Sequence, residues 1–213
     1  MRSERDDKAA RMTAWEAALA YWRTCTDGSG YPIDESILET VAVLNLLSIS
    51  TTSSCGGHAD RGVVFPYVML GVCSEEAEAA SRRELDLANE EYIFQCEYGE
   101  DKRNSAWYER RALLRRWRPL HWESALLLMK YIDAFYQIHA PVSPEHHLIV
   151  RPLLSTGISI LQPFHAAQQF TAIELTHDEK LALLAHDQEE MRSLTIFLKA
   201  RYFAHTEKEV VHL

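Results

Sequence analysis

A Ser155-Thr156-Gly157 turn joins two short β-branched runs, HLIVRPLL and GISILQPF, and constrains this chain more than any other stretch. Strands with so short a connection pair antiparallel, because a parallel crossover needs a dozen residues or more. Most of the remaining sequence carries helical periodicity. Together these features predict an α+β fold: a small, at least partly antiparallel sheet of three or four strands packed with five or six helices.

The helices are read from their apolar spacing. Ala9, Met12, Trp15, Leu19 and Trp22 recur at three- and four-residue steps, predicting a helix over 6–24 that TDGSGYP ends. A second helix starts at PIDESILE, with Pro32, Asp34 and Glu35 suited to its first turn. SISTTSSC and VVFPYVMLGV read as strands, the second at a sheet edge or bulge because it contains Pro66. Ser74 caps a long polar helix, and WYERRALLRRW resumes a helical pattern that Pro119 should end. ESALLLMKYIDAFYQIH predicts a central apolar helix, and a last helix begins at Thr176, with Glu179 placed for a capping box. The 213 residues suit one domain over 1–213, with 74–118 as a helical excursion.

Composition narrows the function classes. Thirty-one acidic against 22 basic residues leave a net charge of −9, so polyanion binding needs a local basic patch. No apolar run is long enough to span a membrane, and the N-terminal stretch lacks the apolar segment of a secretory signal. Cys25, Cys55, Cys73 and Cys96 have no repeating spacing and read as reduced thiols, so a cytoplasmic protein is expected.

Between the first two strands lies TTSSCGGHADRG, residues 51–62, where small polar and reactive groups concentrate. Two glycines permit positive φ and close backbone approach, while Thr51, Thr52, Ser53 and Ser54 offer hydroxyls. The ligand contacts expected from this stretch are Thr52, Ser53, Ser54, Gly56, Gly57, His58 and Arg61, for a small polar or phosphorylated ligand such as a nucleotide or an RNA end. Arg61 would supply charge, and His58 and Cys55 are the candidate catalytic groups. The other reading is a buried structural cysteine followed by a Gly-Gly turn. No metal site is assigned: Cys55 and His58 are two ligands, and a third would have to come from Asp60, Cys73, His121, His146 or His147. No cofactor fingerprint is present, neither GxGxxG nor GxxxxGK[ST]. Asn45 interrupts the apolar stripe one turn before the loop and either braces the TTSS turn or is an ordinary residue near a helix end.

The arrangement DESILETVAVLNLLSISTTSSCGGH resembles the N-terminal signature of the wybutosine-synthesis methyltransferases that act on tRNA. Asp34, Asn45, Thr51 to Cys55 and Gly57 match that signature, whereas His58 stands where that family has arginine. The chain is also similar to bacterial and phage proteins with an S-C-x-G-H motif. That similarity rests on Pro32 to Glu35, Pro66 to Val68 and Phe197 to Phe203, and implies a shared motif loop without implying a reaction.

A second constellation is RRALLRRWRPLHW, five arginines among Leu113, Leu114, Trp117 and Trp122. Arg110, Arg111, Arg115 and Arg118 could meet RNA phosphates with aromatic stacking. Alternatively they pair with the glutamates of the preceding helix, or the helix is a protein-interaction or oligomerisation surface. Oligomeric state is left open by the sequence.

Overall fold

The computed structural model describes residues 4–26, 30–72, 74–141, 143–153, 157–168 and 175–204. Six helices and four strands follow one another: α1 (Glu4–Thr24), α2 (Glu35–Leu46), β1 (Thr51–Cys55), β2 (Tyr67–Leu70), α3 (Glu75–Tyr98), α4 (Ser105–Tyr136), β3 (Leu148–Pro152), β4 (Ser159–Pro163), α5 (Phe164–Gln168) and α6 (His177–Ala204). One 3-10 turn, Pro144–His146, precedes β3. The class is α+β, as the sequence predicts.

The sheet is antiparallel throughout, in the order β1-β2-β4-β3. β3 and β4 pair from Leu148–Pro163 to Pro152–Ser159, with Gly157 at positive φ beside them; Ser155 and Thr156 lie outside the described residues. β2 is central, contrary to the edge or bulge position expected from Pro66. The strand begins at Tyr67, so Pro66 precedes the ladder and no sheet hydrogen bond is lost to it.

Apolar positions of α1, α2, α4 and α6 close one core over the strands, with Leu38, Leu44, Leu128, Leu161, Leu194 and Leu198 almost wholly removed from solvent. α6 packs on α2, where Thr40 and Thr195 share a buried 2.7 Å hydrogen bond, and α4 lies over β2, β3 and β4. The helix starts follow their capping residues. Ser74 Oγ accepts from Ala77 N–H, Asn104 Oδ1 accepts from Trp107 N–H, and Thr176 and Glu179 form a reciprocal capping box before α6.

Pro119 does not end a helix: α4 runs through it as one rod. A proline in a helix interior costs on the order of 3 kcal/mol. Burial on both sides offsets this. Trp117 packs with Ala77 and Ala80 of α3, and Ala125, Leu128, Tyr131, Ile132 and Phe135 enter the main core. The excursion expected at 74–118 is therefore a hairpin of α3 and the first half of α4, with its second arm continuous with a core helix. No helix among the described residues is long and apolar enough to cross a membrane.

Candidate functional site

The motif loop starts where β1 leaves the sheet. Thr51 faces inward, and its Oγ1 accepts a 2.8 Å hydrogen bond from Asn45 Nδ2, which also donates to Val41 O. The brace expected of Asn45 is thus present, made through the Thr51 hydroxyl rather than through a backbone group. Thr52 and Ser53 are exposed, while Ser54 and Cys55 are half-buried.

Asp34 precedes α2 in the N-cap position, but its side chain makes no cap hydrogen bond. Instead its Oδ2 accepts from Gly56 N–H at 2.7 Å, tying the start of α2 to the loop. Gly57 N–H points to Cys55 Sγ at 3.4 Å, and Gln188 of α6 donates to Gly56 O at 2.8 Å. A side chain at either glycine would collide. A Cβ on Gly56 would lie 2.2 Å from Ser36 Oγ, and one on Gly57, where φ is +80°, 2.5 Å from Leu184 Cδ1. His58 N–H then closes the turn by donating to Val63 O. Asp34 Oδ2, from before α2, and Cys55 Sγ, from the loop itself, take the two glycine N–H groups, so neither is aimed at a ligand in this conformation.

Asp34, Cys55 and His58 each bring one donor or acceptor atom to within 4.8 Å of the others. His58 Nε2 lies 3.3 Å from Asp34 Oδ2, and both side chains remain more than a quarter exposed, so solvent reaches them. Burial pushes the Cys55 thiol up; the Gly57 N–H opposes that rise and the Asp34 carboxylate adds to it. The Tyr67 hydroxyl, across the ladder from Cys55, is raised in the same way, chiefly by burial and then by Cys55, with Ser53 opposing. At neutral pH the site therefore holds a protonated thiol and phenol as donors beside the Asp34–His58 pair. That combination suits recognition and proton transfer more than thiolate attack. Arg61 acts on Cys55 through space and lies 6.0 Å over the Tyr31 ring.

No family model, curated protein or solved structure matches this chain.

The other groups considered as partners of Cys55 and His58 are elsewhere. Asp60 is exposed beside His177, Cys73 is outside the described residues, and His121, on the buried face of α4, accepts from Val72 N–H. His147 packs against the Tyr136 ring, whereas His146 is buried. The arginines divide. Arg110 pairs with Glu84 at 2.7 Å and Glu91 at 3.0 Å, as a helix face matched to its neighbour would. Arg111, Arg115 and Arg118 line a groove of about 590 Å³ with Trp107, Trp122 and the Arg110–Glu91 pair.

Two buried carboxylates are not foreseen from the sequence. Asp187 meets His146 and His165, and Glu190 accepts from Tyr136 Oη at 2.7 Å while lying 3.0 Å from His139 Nε2. Tyr136 Oη in turn accepts from Leu148 N–H, and burial pushes its pKa far up. The available signal was positional: Asp187 and Glu190 occupy the stripe of α6 that Met191, Leu194 and Leu198 continue.

Proposed function

We propose that the protein binds a small polar or phosphorylated ligand, a nucleotide or an RNA end, at the mouth formed by Ser53, Cys55, His58, Arg61, Tyr67 and Asp34. The observation that carries this reading is the convergence of Asp34, Cys55 and His58 within 4.8 Å while they stay open to solvent. Asp34 and Cys55 also brace the two glycines, but the His58 imidazole is not needed for that brace and stands beside them at a wet surface.

The polarity of the site sets the ligand's orientation. Asp34 repels an anion, so ligand hydroxyl or amino groups face Asp34 and His58, and any phosphate lies outward toward Arg61. The exposed hydroxyls of Thr52 and Ser53, with that of half-buried Ser54, complete the polar rim. His58 serves as proton carrier if the bound ligand reacts.

The test is a thermal-shift screen with nucleotides and phosphorylated metabolites, on wild type and His58→Ala. A ligand at 100 times Kd adds about 2.7 kcal/mol of stability. A shift present in wild type and absent in an equally well-folded variant supports the reading. A variant that is merely less stable, with no ligand shifting wild type, refutes it.

The α4 groove favours a second reading, an interaction surface for an anionic partner. Arg111 stacks 4.7 Å from the Trp107 ring and Arg118 5.5 Å from Trp122, so charge and aromatic faces alternate along it. Salt-sensitive binding of single-stranded RNA, lost in Arg111→Ala/Arg115→Ala, would support this second reading.

A further inference from the structure

We propose that His146, His165 and Asp187 form a binding site for one divalent transition-metal ion, of the zinc or iron(II) type. The three residues come from separate parts of the chain: the 3-10 turn before β3, the start of α5 and the middle of α6. Their ligand atoms nevertheless lie within 4.8 Å of one another, and all three side chains are buried. The two histidines are held in register by a hydrogen bond from Phe164 N–H to His147 O, between their immediate neighbours.

The carboxylate makes the argument. Asp187 is fully removed from solvent on the buried stripe of α6, where an uncompensated charge would be very costly. Its two oxygens face two different imidazoles, Oδ1 to His146 Nδ1 at 2.7 Å and Oδ2 to His165 Nε2 at 2.8 Å. Among the described residues, the two histidines are the ion-pair partners found for this carboxylate. A divalent cation between the three groups would set positive charge directly against this carboxylate and take the imidazole nitrogens that now face it.

The geometry is close to what such an ion needs. Nitrogen and oxygen ligands about 2.0–2.1 Å from a tetrahedral metal stand about 3.3 Å apart, so each contact opens by roughly half an ångström on loading. Two imidazoles and one carboxylate suit zinc and non-haem iron(II), and three protein ligands leave at least one position for water or another small ligand. Phe65 sets its ring edge-on to His165 at 6.3 Å, and the exposed His186 ring lies 5.1 Å from that of His146. The ion would sit behind the motif loop, since Leu184 and Gln188 on either side of Asp187 seat Gly57 and Gly56. The proposal does not depend on what the loop binds.

Elemental analysis of the purified full-length chain comes first, followed by chelation and titration with Zn²⁺ and Co²⁺. About one equivalent per chain, with a rise in melting temperature on reloading, is the expected result. The cobalt form should show a ligand-field spectrum without thiolate-to-metal charge transfer, because the three proposed ligands are two imidazoles and a carboxylate. Cys55→Ser/His58→Gln should keep the full equivalent, while Asp187→Asn should lose it. Less than about a tenth of an equivalent in the wild type overturns the proposal, whether or not the Asp187 variant folds. Loss of metal in the folded Cys55/His58 variant overturns it too, by moving the site to the loop.

Discussion

Gln188 Nε2 donates a 2.8 Å hydrogen bond to the carbonyl oxygen of Gly56, joining α6 to the motif loop across 132 positions of sequence. The bond is half-buried, and the same two elements meet again through Leu184 packing on Gly57 and the exposed His177–Asp60 pair. Gln188→Leu should cost about 1 kcal/mol in denaturant unfolding. It should also raise amide exchange at Gly56 to His58 while leaving the β3–β4 ladder unchanged. Unchanged exchange in the loop would show that Asp34 and Leu184 hold it without Gln188.

Gly57 should tolerate no substitution. A Cβ there would meet Leu184 Cδ1 at 2.5 Å, Val64 O at 2.8 Å and Phe65 C at 2.9 Å, with φ at +80°. Two of the three obstacles are backbone, so Gly57→Ala should cost roughly 2–4 kcal/mol, and trimming Leu184 to alanine should not rescue it. Gly62 is the control. Its φ is +63° with open space around it, so Gly62→Ala should cost only about 1–2 kcal/mol.

Asn45→Ala removes the donor to both Thr51 Oγ1 and Val41 O. A loss of about 1–3 kcal/mol is expected, with faster exchange along Thr51 to Cys55. A drop in the urea midpoint confined to this variant, and absent in Thr52→Ala at the exposed neighbouring position, would check the assignment.

The Asn45 brace is legible in the sequence because an amide that breaks an apolar stripe must find a partner, and the nearest polar groups follow within one turn. The same rule applies to Asp187, yet HDQEE hides it among charged neighbours that read as a solvated face. Its partners, His146 and His165, lie 41 and 22 positions earlier, beyond any local pattern. Asp34 is legible as a residue before a helix, but its bond to Gly56 across 22 positions is not. Pro119 misleads for a related reason. Its local penalty is visible, whereas the tertiary burial of Trp117 and Leu128 that outweighs it is not.

Cys55 should be a slow thiol. The reactive species is the thiolate, and burial, with Asp34 nearby, raises the pKa of this group. Near pH 7, alkylation mapped by mass spectrometry should reach exposed Cys96 before Cys55, and the gap should narrow as pH rises toward about 10. Asp34→Asn should speed Cys55 labelling by removing a charge that opposes thiolate. Preferential labelling of Cys55 at neutral pH would contradict the description of the site.

His121 gives the fold a defined sensitivity to acid. Its Nδ1 accepts from Val72 N–H at 3.0 Å, which leaves the proton on Nε2, and burial holds its pKa below the ordinary histidine value. The unfolded chain takes up a proton near pH 6.5, whereas the folded chain does so only at lower pH. This contribution is therefore complete above about pH 6.5 and is lost as pH falls from there through the folded pKa. His121→Gln retains an acceptor for Val72. Its urea midpoint should fall less than that of wild type between about pH 7 and about pH 5.

β2 lies between β1 and β4 in space, but α3, α4 and β3 separate β2 from β4 along the chain. A two-stranded ribbon is at best marginally stable by itself. During synthesis, every residue of TTSSCGGH therefore leaves the ribosome long before the strand that flanks β2 and the helix that seats Gly56 and Gly57. A ribosome-stalled or truncated product would carry the complete motif with its braces from Asn45 and Asp34 but without Leu184 and Gln188 of α6. The final shape of this loop is therefore a report that translation has passed α6.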